Sequence, residues 1–288
     1  MSEYLIYADS ACDIKPEMLG EWGVPYQCLT FRFDGDETEY SNDDMNIGEF
    51  YQKMREGGVA KTSAVNVENF YLGFETVLKS GRDLLYLGFS SGLSTTYNSA
   101  RLAAERLREA YPERKVIAVD TLAASAGYGL LVRLALDRQA SGATIEEVAA
   151  YIEEIKLSLC HWFTVDDLVY LKRGGRISPT AAFVGNMLGI KPVLHVDDEG
   201  HLINVAKVRG RKTAVAALAA KYSETALTPS EGLVYISHGD CEDDARMLAD
   251  MLREKHGVEV SLITDVGSVI GAHSGPGTLA FFFIGSKR

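Results

Sequence analysis

Short apolar runs alternate with longer segments of helical spacing along the first half of the chain. YLIYA (4–8), VPYQCLTFRF (24–33), DLLYLGF (83–89) and KVIAVD (115–120) are strand-length. Between them, PEMLGEWG opens with Pro16 and closes on Gly23, the polarity expected of a short helix. IGEFYQKMREGG, closed by Gly57-Gly58, and VENFYLGFETVLKSG also read as helices. So do the segment after Tyr97 and GLLVRLALDRQASG. Strand–helix alternation of this kind predicts a mostly parallel sheet with helices on both faces. TIEEVAAYIEEIKLSL places Ile145, Val148, Ile152 and Ile155 on one stripe and is a candidate bridge into a second domain.

After about residue 158 the pattern changes. HWFTVDDLVYLKRGG reads as a strand, then a short helix that begins near Thr164 and stops at Gly174-Gly175. SPTAAFVGNMLG has Ser178 as N-cap, Pro179 at the first position and Gly189 as C-cap, so it predicts a helix. PVLHVDDEGHLINVAKV is two alternating runs around Asp-Asp-Glu-Gly, a β-hairpin. Helix, strand GLVYIS, helix ARMLADMLREKHG, strand VEVSLIT, a glycine-rich segment and strand LAFFFIG follow. The expected architecture is α/β with two domains, divided at 1–157 and 158–288, the second built on a mixed sheet with helices.

Composition narrows the function classes. With 288 residues the chain is long enough for two cores, and at 47% hydrophobic it has the balance of an ordinary globular protein. A net charge of −11 argues against general nucleic-acid binding, which depends on cationic neutralisation of phosphate. MSEYLIYADS lacks the basic and apolar regions of a signal peptide, and no apolar run reaches the roughly 18 residues of a membrane span. The four cysteines are scattered with no C-x-x-C, as in a reducing compartment. A cytoplasmic protein without stable membrane insertion is expected. The acidic stretch FDGDETEYSNDD fits no EF-hand spacing, so no metal and no cofactor are expected.

Several segments carry candidate chemistry. GFSSGLSTTYNSA (88–100) crowds hydroxyls into a strand-to-helix corner. Its G-x-S-x-G match makes Ser90 a candidate nucleophile, with Asp120 or Asp265 and then His273 in hydrolase order. No His-Gly oxyanion loop precedes the serine, which counts against that reading. The same corner, through Ser94 and free N–H groups, can instead cradle an anion, or merely cap a helix. Lys61-Thr62-Ser63, expected in a loop between two helices, presents the same choice between clasp and cap. ITDVGSVIGAHSGPG offers His273 among glycines that let backbone approach a ligand, or a tight turn with a packed histidine. In LKRGGRIS, Arg173 and Arg176 flank two glycines, and Arg209 and Arg211 repeat that chemistry in VRGRK. These arginines either complement a helix dipole or form a basic surface for an acidic partner. Asp9 and Asp13 of ADSACD stand at the carboxyl end of a strand, where α/β sheets place their sites.

Taken in order, ADSACDI, KTS, FSSGLSTTYNSA, FTVDDLVYLKRGGRIS, GIKPVL, KVRGR and VGSVIGAHSGPG resemble the DegV family over the whole chain. The resemblance implies a long-chain fatty acid held between the two domains, its tail in an apolar tunnel. It implies a carboxylate bound at Thr62, Ser63 and Ser94 with His273 nearby, and ligand-adjacent backbone at Gly92, Gly271 and Gly275. Arg173, Arg176 and Arg209 are then expected to face a separate ATP-dependent fatty acid kinase, which makes the acyl phosphate used in phospholipid synthesis. On this reading the chain is a carrier with no catalytic residue of its own. The alternatives are a serine esterase acting through Ser90, or a lipid-sensing regulator. This chain departs from the family pattern at Ala64-Val65-Asn66 and at Thr95.

Overall fold

The computed structural model describes residues 4–178, 189–227 and 232–288. The helix expected over SPTAAFVGNMLG falls mainly outside them. Strands β1 (Tyr4–Asp9) and β2 (Tyr26–Gln27) flank helix α1 (Pro16–Trp22). Then come β3 (Thr30–Phe33), β4 (Tyr40–Ser41), α2 (Ile47–Arg55) and β5 (Ala60–Ser63). Next are α3 (Val67–Lys79), β6 (Asp83–Gly88), α4 (Thr96–Ala110), β7 (Val116–Asp120), α5 (Ser125–Ala140) and α6 (Ile145–Ile155). The second half holds β8 (Leu159–Thr164), α7 (Val169–Arg173), β9 (Ile190–Val196), β10 (Leu202–Arg209) and α8 (Arg211–Thr225). It ends with β11 (Val234–His238), α9 (Glu242–His256), β12 (Leu262–Asp265), α10 (Ser268–Ser274) and β13 (Leu279–Ile284).

The predicted alternation folds as expected of α/β. Strands β2-β1-β6-β7 form an all-parallel four-stranded sheet. Strands β10-β9-β8-β13-β11-β12 form a six-stranded sheet that is antiparallel except for the β11–β12 pair. The β9–β10 pair is the predicted hairpin, with Leu202 opposite Val196. Helix α6 starts in a capping box between Thr144 and Glu147, which satisfies two otherwise unpaired N–H groups.

Four segments depart from the sequence expectation. VPYQCLTFRF is two strands in different sheets, because β2 adds to the parallel sheet while β3 turns away to pair with β4 and β5. Lys61-Thr62-Ser63 is no loop: it lies in β5, with Thr62 opposite Phe31. The glycine-rich run before the last strand is helical over α10. Gly271 is required there by packing, since a Cβ would meet Tyr51 Oη at 2.6 Å. The short helix of the LKRGG segment also starts later than expected, at Val169, where Asp167 accepts from the Val169 N–H at 2.9 Å.

The three-stranded sheet positions the site. Phe31, Phe33, Phe50, Tyr51 and Met54 form a separate buried cluster that also takes in Ala272 of α10. Phe31 meets Phe50 edge-on at 5.1 Å, and Tyr51 donates to the Val266 carbonyl at 2.7 Å. Aromatic packing thus fixes α10 against β5. Phe31→Ala should cost about 3–5 kcal/mol in urea denaturation, the range for emptying a buried aromatic site.

Candidate functional site

A cavity of about 470 Å³ lies between the carboxyl ends of the parallel strands and the face of the six-stranded sheet. That volume lies within the usual range for small-molecule sites, roughly 300–1,000 Å³. Its floor comes from adjacent strands, where Phe163 pairs with Ala280 and His161 with Phe282. Leu29, Phe89, Val196 and Leu202 extend the apolar wall. At one end the lining turns polar.

Thr62 points inward from β5, and its Oγ1 lies 2.8 Å from His273 Nε2. Period-two alternation turns Ser63 to the opposite face, so Ser63 is exposed and lies outside the lining. Helix α10 delivers His273, and Gly174 receives its ring: a Cβ at 174 would collide with Nδ1. Burial first, then the neighbouring Arg176 charge, push His273 down to about 4, so the ring is neutral at physiological pH.

Arg176 also lines the cavity, where burial lowers its pKa. Its Nε donates to the Leu93 carbonyl at 3.2 Å, and Nη1 donates to the Gly174 carbonyl. The guanidinium therefore joins the serine-rich corner to the loop beside His273. Expected on a partner-facing surface, Arg176 instead turns into the chamber, because the left-handed Gly175 (φ 70) reverses the chain between the two arginines. Arg173 stays exposed over the Tyr170 ring at 5.7 Å, and Arg209 is exposed at the end of β10.

In the corner itself, Ser94 lines the cavity and makes a local cap, accepting from the Thr96 N–H at 3.2 Å. Gly92 lines the cavity too, but its lack of a side chain is needed elsewhere: a Cβ would stand 2.7 Å from the Glu199 carbonyl oxygen. Gly271 and Gly275 do not line it. They face Tyr51 and Tyr170, so helix packing accounts for both glycines.

The hydrolase constellation does not assemble. Ser90 is fully buried outside the lining, and its Oγ donates to the Gly200 carbonyl at 3.0 Å. Asp120 Oδ1 accepts from the Ser91 and Leu122 N–H groups, and Asp265 lies 3.8 Å from His238 rather than beside His273. Among the described residues no cluster of three His, Cys, Asp or Glu could hold a metal.

The acids of ADSACD, singled out in the sequence only for their place at the end of a strand, build the site from behind. Buried Asp9 accepts from Tyr86 Oη at 2.7 Å and the Phe89 N–H at 3.1 Å, which sets the entry to the serine-rich corner. Burial pushes its carboxyl up to about 6 against those hydrogen bonds.

The fold and the chamber define an α/β protein with an internal apolar cavity that is polar at one end. The chain matches the DegV family profile over residues 4–286 and belongs to that family. A DegV domain-containing protein of Clostridium perfringens is 44% identical, with 100% of this chain and 99% of that protein covered. A fatty acid-binding protein of Thermotoga maritima is 38% identical over 96% of each. The structure of a fatty-acid-binding DegV family protein from Thermus thermophilus superposes with a TM-score of 0.88 at 32% identity, covering 98% of this chain and 99% of the other. Among the described residues no helix is long and apolar enough to cross a membrane.

A depressed histidine makes stability pH-dependent with a definite sign. Unfolded His273 takes a proton near its ordinary value of about 6.5, whereas the folded ring resists it until about 4. Its contribution is present above that range and is lost as the pH falls through it. Denaturation midpoints of wild type and His273→Gln should therefore diverge between about pH 6.5 and 4, with the wild type losing more.

Proposed function

We propose that this chain binds a long-chain fatty acid between an N-terminal domain, 1–157, and a C-terminal domain, 158–288, and presents it to a separate ATP-dependent kinase. The observation that carries the reading is the apolar chamber ending in Thr62, Ser94, Arg176 and His273. A tail of about 15 methylenes, at ~0.8 kcal/mol each, gains on the order of 12 kcal/mol by leaving water. Ordering the chain and desolvating the head reduce that gain. A buried carboxylate needs hydrogen-bonded partners. With the proton on Nε2, His273 donates to Thr62, which leaves the Thr62 O–H for the carboxylate. The Arg176 guanidinium balances its charge. The fatty-acid-binding relatives from Thermotoga maritima and Thermus thermophilus support the same reading.

Exposed Arg173 and Arg209 are the residues we assign to the kinase contact; Arg176 we assign to the ligand. The acyl phosphate formed would feed phospholipid synthesis in the cytoplasm. Nothing in the placement of Ser90 favours the esterase alternative.

Solvent extraction and mass spectrometry of the purified protein should recover acyl chains. A protein that is empty and also takes up no added palmitate refutes the assignment. Thr62→Ala or Ser94→Ala should weaken palmitate binding by about 1.5–3 kcal/mol in calorimetry, the usual loss for a hydrogen bond to a charged group. Arg173→Ala should leave that affinity unchanged while slowing acyl-phosphate formation when kinase and ATP are added.

A further inference from the structure

Of the two buried acids in ADSACD, Asp13 is the one that spans the seam between the sheets. It caps a short 3-10 turn, Ser10–Cys12, and is left-handed at φ 50. Its Oδ2 pairs with the Ser125 hydroxyl, and Ser125 Oγ lies 2.9 Å from Ser237 Oγ on β11. Its Oδ1 lies against Gly267, the residue that caps α10, where a Cβ would stand 2.6 Å away. Its carbonyl accepts from Thr264 Oγ1 on β12 at 3.2 Å. One residue therefore joins the end of β1 to α5, β11, β12 and the start of α10. Ser125 lines the cavity and is itself left-handed at φ 54, while α10 carries His273. Strained non-glycine residues persist where their surroundings hold them, and they gather at functional sites.

Among the described residues no cation compensates this carboxyl. The groups that face it are Asp9 and Cys12 from its own segment, Asp265 from β12 and Tyr51 from α2. His238 Nδ1 on β11 stands 3.8 Å from Asp265 Oδ1, beyond hydrogen-bond distance. Burial pushes Asp13 up to about 8 despite the Ser125 hydrogen bond and the Gly267 backbone beside Oδ1, and the Asp265 and Asp9 charges add to the rise.

We propose that Asp13 is a positioning residue that works as a neutral acid, pinning the cavity wall at Ser125 to the helix that bears His273. Loss of its proton loosens the seam and lowers fatty-acid affinity. The inference rests on the fatty-acid reading for its ligand, but its geometry does not. Protonated, Asp13 donates to Ser125, which is then free to donate to Ser237. Ionised, it can only accept, so Ser125 turns its proton back, Ser237 must become the donor of that pair, and an uncompensated charge is left buried at the seam. The folded value is raised, so the stabilising contribution is complete below the ordinary carboxylate range and is lost as pH rises toward about 8.

Asp13→Asn keeps one acceptor and one donor but does not titrate, so it should imitate the protonated acid. Between about pH 5.5 and 8, ligand-free thermal melts of the wild type should fall relative to the variant, and the difference should level off toward pH 9.5. Over the same range, wild-type affinity for cis-parinaric acid, read by its fluorescence, should weaken at least about tenfold while that of the variant stays level. Parallel melts and parallel binding profiles overturn the proposal. If neither protein takes up the probe at any pH, the fatty-acid reading fails, and the melts alone then decide the role of Asp13. Should the variant not fold, the ¹³C resonance of the Asp13 carboxyl in aspartate-labelled wild type serves instead. A midpoint near or above neutrality supports the proposal, and one in the ordinary carboxylate range overturns it.

Discussion

Holding a chamber of about 470 Å³ open between two sheets is the constraint on which the rest of the structure depends. Side chains lining such a chamber forgo the dispersion contacts that a filled core would give them. Both walls must therefore be stiff without the help of a filled interior. Polar pins supply the stiffness: Asp9 to Tyr86 and Phe89, Ser125 to Asp13 and Ser237, and Thr62 to His273. Buried hydrogen bonds suit this task because they fix geometry without adding volume.

Charge is arranged around the chamber with similar economy. The one guanidinium named in its lining, Arg176, spends two of its N–H groups on the Leu93 and Gly174 carbonyls. It is thus held rigid before any anion arrives, and its charge adds to the burial that keeps the adjacent imidazole neutral. Neutral histidine and threonine together supply a directed donor, where a second fixed cation would add only attraction. The combination suits the carboxylate ligand proposed above.

Much of the architecture was legible because it is written locally. Apolar runs such as YLIYA, the Pro16 and Gly23 termini of α1, and the Thr144–Glu147 capping box each state their structure within a few residues. What the sequence hid depends on partners distant along the chain. VPYQCLTFRF reads as one strand because nothing in it shows that Tyr26 follows β1 while Phe31 faces Thr62. The run of glycines before β13 reads as a turn, although Gly271 is small for the sake of Tyr51, more than two hundred residues earlier. Arg173 and Arg176 look equivalent in LKRGGRIS; a left-handed glycine between them sends one outward and one into the chamber. The roles of Asp9 and Asp13 were hidden for the same reason, since an acid gives no local sign that its partners are Tyr86 and Ser125.

The contact between the serine-rich corner and the β9–β10 turn carries one more implication. Gly92 leaves room for the Glu199 carbonyl, and Gly200, left-handed at φ 79, leaves room for Ser90. A methyl group at either place forces the other segment to retreat, so neither segment is free to drift alone. In diverging chains of this fold, substitutions at the two places should arise as matched pairs. Paired change between a corner near residue 90 and a hairpin near residue 200 would mark where the halves of the molecule touch in chains known only as sequences.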